Sequence, residues 1–285
     1  MPIRTFYRLT KPGIVYGNAF TAASGFILGA QGQWPLGRLA AMLGGIALII
    51  ACGCVCNNYI DRGIDAKMKR TQKRALVHGD ISGRSALLYA ACLGVAGSLL
   101  LGIFTNKLTL GVALTGLFFY VVVYGIGKRA TVHGTVIGSI SGAIPPLVGY
   151  TAAAGHLDGA ALILFLILVC WQMPHFYAIA MFRRDDYAAA GIPVLPVVHG
   201  MRTTKYYIMV YIVLFILAVS ALTVFGYAGY SYLVIMGSIG LYWAGRGIRG
   251  FNRADDVRWA RSMFFASLMV LPALPIALLL NNWLP

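Results

Sequence analysis

Setting aside Lys, Arg and Asp, the chain falls into uncharged stretches at residues 12–37, 39–60, 85–106, 108–127, 130–157, 159–182, 206–245 and 262–285. Each is long enough for a helix to cross the hydrocarbon core of a bilayer, which takes about 20 residues. The 206–245 stretch is long enough for two crossings, and Gly226-Tyr227-Ala228-Gly229-Tyr230 within it suits a tight turn at the interface. Splitting there predicts nine transmembrane helices in one all-α polytopic domain over residues 1–285. Composition agrees, because 59% hydrophobic and 11% charged residues leave too little polar surface for a water-soluble globule.

The basic residues test the count independently. With nine spans, Arg4, Arg8 and Lys11 share a side with Arg62, Lys67, Lys69, Arg70, Lys73, Arg74 and Arg84. Lys128, Arg129, Arg183, Arg184, Arg202, Lys205, Arg246, Arg249, Arg253, Arg258 and Arg261 fall there too, leaving only Arg38 and Lys107 opposite. The positive-inside rule then puts the N-terminus in the cytoplasm of a bacterial-type inner membrane. A net charge of +15 in a soluble protein would point to nucleic acid; here it anchors a membrane protein, and no nucleic-acid partner is expected. Met1 to Lys11 lacks an Ala-x-Ala-like cleavage site and reads as a retained basic anchor.

Other chemistries are excluded by their absence from the sequence. Cys52, Cys54, Cys56, Cys92 and Cys170 all lie in spans, and a two-residue spacing on a helix turns the first three away from any common metal. They read as small packing residues, with no disulfide framework. No GxxxxGK[ST], HExxH or CxxCH motif is present.

Seven of the eight Asp residues share the basic side, Asp158 being the exception, and acids would weaken a purely anchoring surface. The most informative run is Asn57-Asn58-Tyr59-Ile60-Asp61-Arg62-Gly63-Ile64-Asp65 at the end of the second span. Positions i, i+4 and i+8 drift only about 40° per step, so Asn57, Asp61 and Asp65 line one helix face over roughly 12 Å. Two carboxylates and an amide oxygen are hard ligands suited to Mg²⁺, which takes one or two carboxylates plus substrate phosphates. The Lys67, Lys69, Arg70, Lys73 and Arg74 run that follows can hold the anionic remainder of such a substrate. Taken alone, that run also reads as ordinary anchoring; a metal–diphosphate site accounts for acid and base together.

A second cluster runs from Trp171-Gln172-Met173-Pro174-His175-Phe176-Tyr177 to Arg183-Arg184-Asp185-Asp186-Tyr187. A shift of 121 residues sets Asp65 on Asp186, Val77-His78-Gly79 on Val198-His199-Gly200, and Arg84 on Lys205. Such a weak internal repeat would relate spans 2–3 to spans 6–7 in parallel orientation and aim both loops at one cavity. Asn57 and Asp61 have no counterpart, since Ala178 and Phe182 stand there. Tyr120, Tyr124 and Lys128 at i, i+4 and i+8, followed by Arg129, offer aromatic walls for a carbocation and cations for a departing diphosphate, or serve as interfacial anchors. His175, one turn after Trp171, is either bonded to a neighbouring helix or a ligand.

At these motifs the sequence resembles the UbiA-like intramembrane prenyltransferases, and within them the haem-prenylating branch. The resemblance covers nearly the whole chain. It is carried by Thr10-Lys11-Pro12-Gly13 with Gly17-Asn18, by the Asn57–Asp65 run, by Arg70-Thr71 with Arg74, and by Tyr124-x-x-x-Lys128-Arg129. It continues through Gly142-Ala143-x-Pro145-Pro146, Trp171-Gln172-x-Pro174-His175-Phe176, and Asp186-Tyr187 leading to Ala190-Gly191-x-Pro193-x-Leu195-Pro196.

The resemblance implies nine helices around a central cavity and Mg²⁺-dependent transfer of farnesyl from farnesyl diphosphate to haem B, a substrate and not a cofactor. It implies Asn57, Asp61 and Asp65 as catalytic and metal-holding, and Arg62, Arg70, Arg74, Lys128 and Arg129 as diphosphate-binding. Trp171, Gln172 and His175 are the implied haem contacts, with Asp185, Asp186 and Tyr187 a second polar motif. Asn18, Tyr120, Tyr124 and Tyr177 would line the cavity. Implied partners are the lipid bilayer and a haem A synthase or oxidase assembly factor. The broader family has an acid where Asn58 stands and a fuller second Asp-rich motif, a departure that suits a porphyrin acceptor and puts a second metal site in doubt.

Two rival readings share features. A related enzyme acting on a quinone or chlorophyll precursor has the first motif but is disfavoured by Asn58 and the Trp171–Phe176 run. A transporter has the spans but should carry charges near the midplane, whereas every Lys, Arg and Asp here lies in a loop or at a span end.

Overall fold

The computed structural model describes residues 3–252, 254–281 and 283, and these form helices and connecting turns with no strand among them. Arg253, counted above with the basic side, lies outside the described residues. A short helix Ile3–Leu9 precedes the long ones. These are α1 (Pro12–Ala30), α2 (Leu36–Asp65), α3 (Gly83–Phe104), α4 (Lys107–Ala130), α5 (Gly134–Ala154), α6 (Gly159–Phe182), α7 (Gly200–Val224), α8 (Tyr230–Gly250) and α9 (Asp256–Leu280). All but α8 are long and apolar enough to cross a membrane by length and composition. The expected split of residues 206–245 falls at a turn after Val224, with Gly226 at φ +76°. The α8 helix has the length of a span, 21 residues, but carries Arg246 and Arg249 in its final turns, and the count of nine rests on it.

Local chemistry sets the helix ends. Asp158 caps α6 by accepting from the Ala161 N–H at 3.1 Å. Asn106 caps α4 through Thr109 N at 2.8 Å while its Nδ2 donates to Thr151 O at 2.8 Å, tying α4 to α5. Between α1 and α5 the backbones touch: a Cβ on Gly25 would stand 1.8 Å from Pro146 O, and one on Gly149 1.8 Å from Ala22 O. Association inside a bilayer lacks a hydrophobic drive, so close backbone approach and the dispersion contacts it brings take over.

Four helices are irregular where they border the central space. α4 contains a π turn at Phe119–Val123, α5 breaks at Ala143 ahead of Pro145-Pro146, α6 contains Pro174, and α9 breaks at Leu268-Met269. Broken helices at membrane depth are tolerated where they line a cavity.

The segments related by the 121-residue shift have similar local geometry. α2 leads through the short helix Ala75–His78 and Gly79 (φ +86°) to α3, and α6 leads through Leu195–Val198 and Gly200 (φ +80°) to α7. The shift sets Gly79 on Gly200, both left-handed. Arg84 and Lys205 part company: Arg84 is exposed, while Lys205 is buried, pairs with Asp256 at 2.5 Å and donates to Phe251 O.

Candidate active site

A cavity of about 920 Å³ runs between α1, α2, α4, α5, α6 and α9. Its polar end gathers Lys11, Asn57, Asp61, Asp65, Arg70, Arg74, Lys128, Arg183 and Tyr187, and its remaining wall is mostly aliphatic and aromatic. Charge is thus confined to one end of an apolar chamber, the shape required by a ligand with an anionic head and a hydrocarbon tail.

The helical period brings Asn57, Asp61 and Asp65 to the cavity together, and all three are buried, at 4%, 8% and 2% exposure. Buried carboxylates need partners. Asp65 takes Arg74 Nη1 at 2.5 Å, and Thr71, just after the helix, donates its hydroxyl to Asp65 O at 2.9 Å. Asp61 takes Lys128 Nζ at 2.5 Å and Arg129 Nη2 at 3.0 Å, both from the end of α4. Asn57 joins this network in either orientation of its amide. In one it accepts from Lys11 Nζ at 3.4 Å; in the other it donates to Asp61 Oδ2 and accepts from Lys128 Nζ, each at 2.9 Å.

Two carboxylates are therefore surrounded by more than two cations, and the surplus suits a polyanion. Lys11 belongs to that surplus. It precedes Pro12 with a left-handed backbone (φ 52°, ψ 67°), a conformation costly for a residue with a Cβ. Burial lowers its ammonium pKa to about 8, with Arg74 adding to the effect against the pull of the nearby Asp65 and Asp61. Tyr187 has its phenol pKa raised by burial.

The oxygen donors of Asn57, Asp61 and Asp65 fit Mg²⁺. Among the described residues no cluster of three or more His, Cys, Asp or Glu side chains is built to hold an ion alone. The donor set is the kind in which phosphate oxygens of a substrate complete the coordination.

Above the charged end, Tyr120 and Tyr124 stack with centroids 5.9 Å apart across the π turn, and Lys128 lies over the Tyr124 ring at 5.0 Å. Asn18 lines the cavity with its Nδ2 bonded to Ile14 O. On the α6 side, Trp171, Gln172 and His175 face the same space. Gln172 Nε2 donates to Leu168 O and Ser139 O, and its Oε1 fills the place where a Cβ on Gly142 would stand.

Five sequence candidates do not join the cavity wall. Arg62 turns back on its own helix, donating to Tyr59 O at 2.8 Å with its guanidinium 4.3 Å above the Tyr59 ring. Asp185 is exposed, and Asp186 faces Arg183 at 4.0 Å; both sit on the short helix Arg184–Ala189 beyond the end of α6. Tyr177 is buried against Tyr207 and Tyr211 in the α6–α7 contact, on the helix face away from the cavity. Arg129 lies behind the wall and acts on it through Asp61.

Other residues enter that the sequence did not single out as site residues. Lys11 and Arg183 line the polar end. Asn58 ties Leu9 O to Arg74, donating to the first at 2.9 Å and accepting from the second at 3.3 Å. Ser267 meets both Trp171 and His175. Lys11, Asn58 and Arg183 stood inside the Thr10–Gly13, Asn57–Asp65 and Arg183–Tyr187 runs, whereas Ser267 stood in no motif.

The chain is an all-helical membrane domain enclosing an acid-and-base-lined chamber, and residues 18–269 match the UbiA prenyltransferase family, to which the chain belongs. Over 287 aligned residues it is 46% identical to the protoheme IX farnesyltransferase of Sodalis glossinidius (strain morsitans), covering 100% of this chain and 97% of that one. It is 47% identical to the enzyme of the same name from Yersinia enterocolitica serotype O:8 over 97% of this chain and 94% of the relative. In fold it is similar to a digeranylgeranylglyceryl phosphate synthase (TM-score 0.79, 17% identity, 98% of each chain). It is similar as well to a UbiA homologue from Archaeoglobus fulgidus bound to GPP and Mg²⁺ (TM-score 0.73, 16% identity, 96% of this chain and 99% of the other).

Proposed function

We propose that this protein transfers the farnesyl group of farnesyl diphosphate to a vinyl group of haem B, with addition of water, giving haem O and diphosphate. The observation that carries the reading is the paired geometry of Asp61 with Lys128 and Asp65 with Arg74 at one end of an apolar chamber, in a chain nearly half identical to protoheme IX farnesyltransferases over its full length.

Lys11, Arg70, Arg74 and Lys128 would hold the diphosphate oxygens and neutralise the charge that grows as the C1–O bond breaks and its electron pair leaves with diphosphate. Asn57, Asp61 and Asp65 would hold Mg²⁺, whose chemistry when bound is charge neutralisation on the same leaving group. Tyr120 and Tyr124 flank the path of the allylic cation with ring faces. The aliphatic wall excludes water that would capture that cation early. The vinyl π electrons of haem form the new C–C bond; water then adds to the resulting porphyrin-side cation and gives up a proton, leaving a hydroxyethylfarnesyl substituent. Trp171, His175 and Phe176 of α6 belong to the acceptor side of the chamber.

We read the orientation as nine spans in an inner membrane with the polar end of the cavity facing the cytoplasm; the support is the side on which the basic residues collect. The parallel repeat of spans 2–3 and 6–7 is part of this reading, supported by Gly79 and Gly200 in matching left-handed turns.

Incubating the purified protein with haem B, farnesyl diphosphate and Mg²⁺, then weighing the haem by mass spectrometry, tests the proposal. The expected product is haem heavier by one farnesyl group and one hydroxyl group. Unmodified haem alongside prenylation of a phenolic acceptor would overturn it.

A further inference from the structure

The break in α9 places one residue against α6 in a way that fixes a tautomer. Ser267, the last residue of Asp256–Ser267, is fully buried. The last carbonyls of a helix lack intrahelical partners, and Ser267 O accepts from Trp171 Nε1 at 2.8 Å. Its hydroxyl stands 2.7 Å from His175 Nδ1 and 2.6 Å from Phe264 O. A carbonyl only accepts, so the single hydroxyl proton goes to Phe264 O. The contact with His175 then requires the imidazole to donate, which puts its proton on Nδ1 and its lone pair on Nε2.

Among the described residues Nε2 has no hydrogen-bond partner, and His175 lines the cavity. The ring is held as firmly as its tautomer. Trp171 stacks at 5.2 Å, Phe264 lies at 4.9 Å and Phe176 meets it edge-on at 5.3 Å. A histidine serving only to join helices would satisfy both nitrogens. One with Nδ1–H anchored to an acceptor, its plane clamped and Nε2 open to a chamber is arranged as metal-binding imidazoles are, the outer acceptor fixing orientation and raising basicity.

We propose that His175 Nε2 is the axial ligand of the iron in the metalloporphyrin acceptor, and that Ser267 is a positioning residue that holds the ligating tautomer. This rests on the reading of the acceptor as haem B. A coordinate bond at the ring centre fixes the porphyrin against α6 while leaving its vinyl edge free to meet the allylic carbon.

The test is resonance Raman spectroscopy of the full-length protein in detergent with ferrous haem B and no farnesyl diphosphate. The wild type should show an iron–imidazole stretch that His175→Ala loses and added imidazole restores. Ser267→Ala should keep the mode at lower frequency and weaken haem affinity about tenfold in a Soret titration, and Ser267→Thr should restore the frequency. A mode that survives His175→Ala overturns the ligand assignment, and an unshifted mode in Ser267→Ala overturns the positioning role. Farnesyl diphosphate and Mg²⁺ are then added to the same wild-type sample, and haem O formation is followed by mass. Conversion without the iron–imidazole mode sinks the ligand alone; haem that is never converted sinks the functional reading itself.

Discussion

Lys128 Nζ lies 2.5 Å from Asp61 Oδ2, joining the end of α4 to the end of α2 across 67 residues of sequence. Arg129 takes the other oxygen of the same carboxylate at 3.0 Å. Asp61 is thus held by two cations, and a single loss on either side has unequal effects. Lys128→Met leaves Asp61 paired with Arg129, so the protein should insert and fold while turnover falls roughly 10²-fold, the scale of losing one group that stabilises developing charge. Asp61→Asn should lose turnover by at least that factor. Haem O formation by purified variants, measured at saturating farnesyl diphosphate, checks both; full activity in Asp61→Asn would remove this carboxylate from the chemistry.

The Asp65–Arg74 pair gives an asymmetric stability prediction. The Asp65 side chain is 3% exposed and that of Arg74 27%. Arg74→Ala strands a buried carboxylate and should destabilise by about 3 kcal/mol. Asp65→Asn leaves a guanidinium that can turn to water and should cost clearly less. Thermal unfolding in one detergent at one pH ranks them, and the reverse order would contradict the burial argument.

Lys11 makes binding pH-dependent. With its pKa lowered to about 8 by burial, the free protein carries the cation below that pH and loses it above. The unfolded chain holds this proton up to an ordinary lysine pKa of about 10.4, so between those values it binds more protons than the native state, and this group's contribution to stability rises with pH. Affinity runs the other way: KM for farnesyl diphosphate should climb as pH passes upward through about 8. Lys11→Arg, which stays charged, should flatten that limb, and a profile unchanged in Lys11→Arg would assign the limb to another group.

Gly25 and Gly149 should tolerate nothing larger. A methyl group at either would sit 1.8 Å from a carbonyl oxygen of the facing helix. Gly149→Ala should therefore lower the yield of monodisperse protein in size-exclusion chromatography, whereas Gly111→Ala, with open space around the added carbon, should not.

The sequence was most legible where a fixed period connects residues. Uncharged runs locate the helices, and the i, i+4, i+8 spacing sets Asn57, Asp61 and Asp65 on one face whatever surrounds them. The turn at Gly226 was visible because glycine and tyrosine cluster there. Direction was harder: Arg62 and Arg74 look alike in a basic run, yet Arg62 folds onto Tyr59 while Arg74 reaches Asp65. Asp185 and Asp186 read as a motif but fall on a short helix past the cavity rim. Ser267 left no trace, because its meaning depends on a break in α9 that delivers it to His175 across 92 residues.

The backbone contact between α1 and α5 also has a kinetic side. With carbonyl oxygens packed where side chains would otherwise separate the helices, these two cannot roll against each other and must move as one stiff plate. Across the chamber, α9 meets α1 more loosely, with Leu271 Cδ1 3.8 Å from where a Cβ on Gly17 would stand, and α9 is itself broken beside that contact. A side chain added at Gly17 would therefore meet only ordinary packing, so the chamber has one wall whose helix spacing is fixed by backbone and another whose spacing is set by side chains.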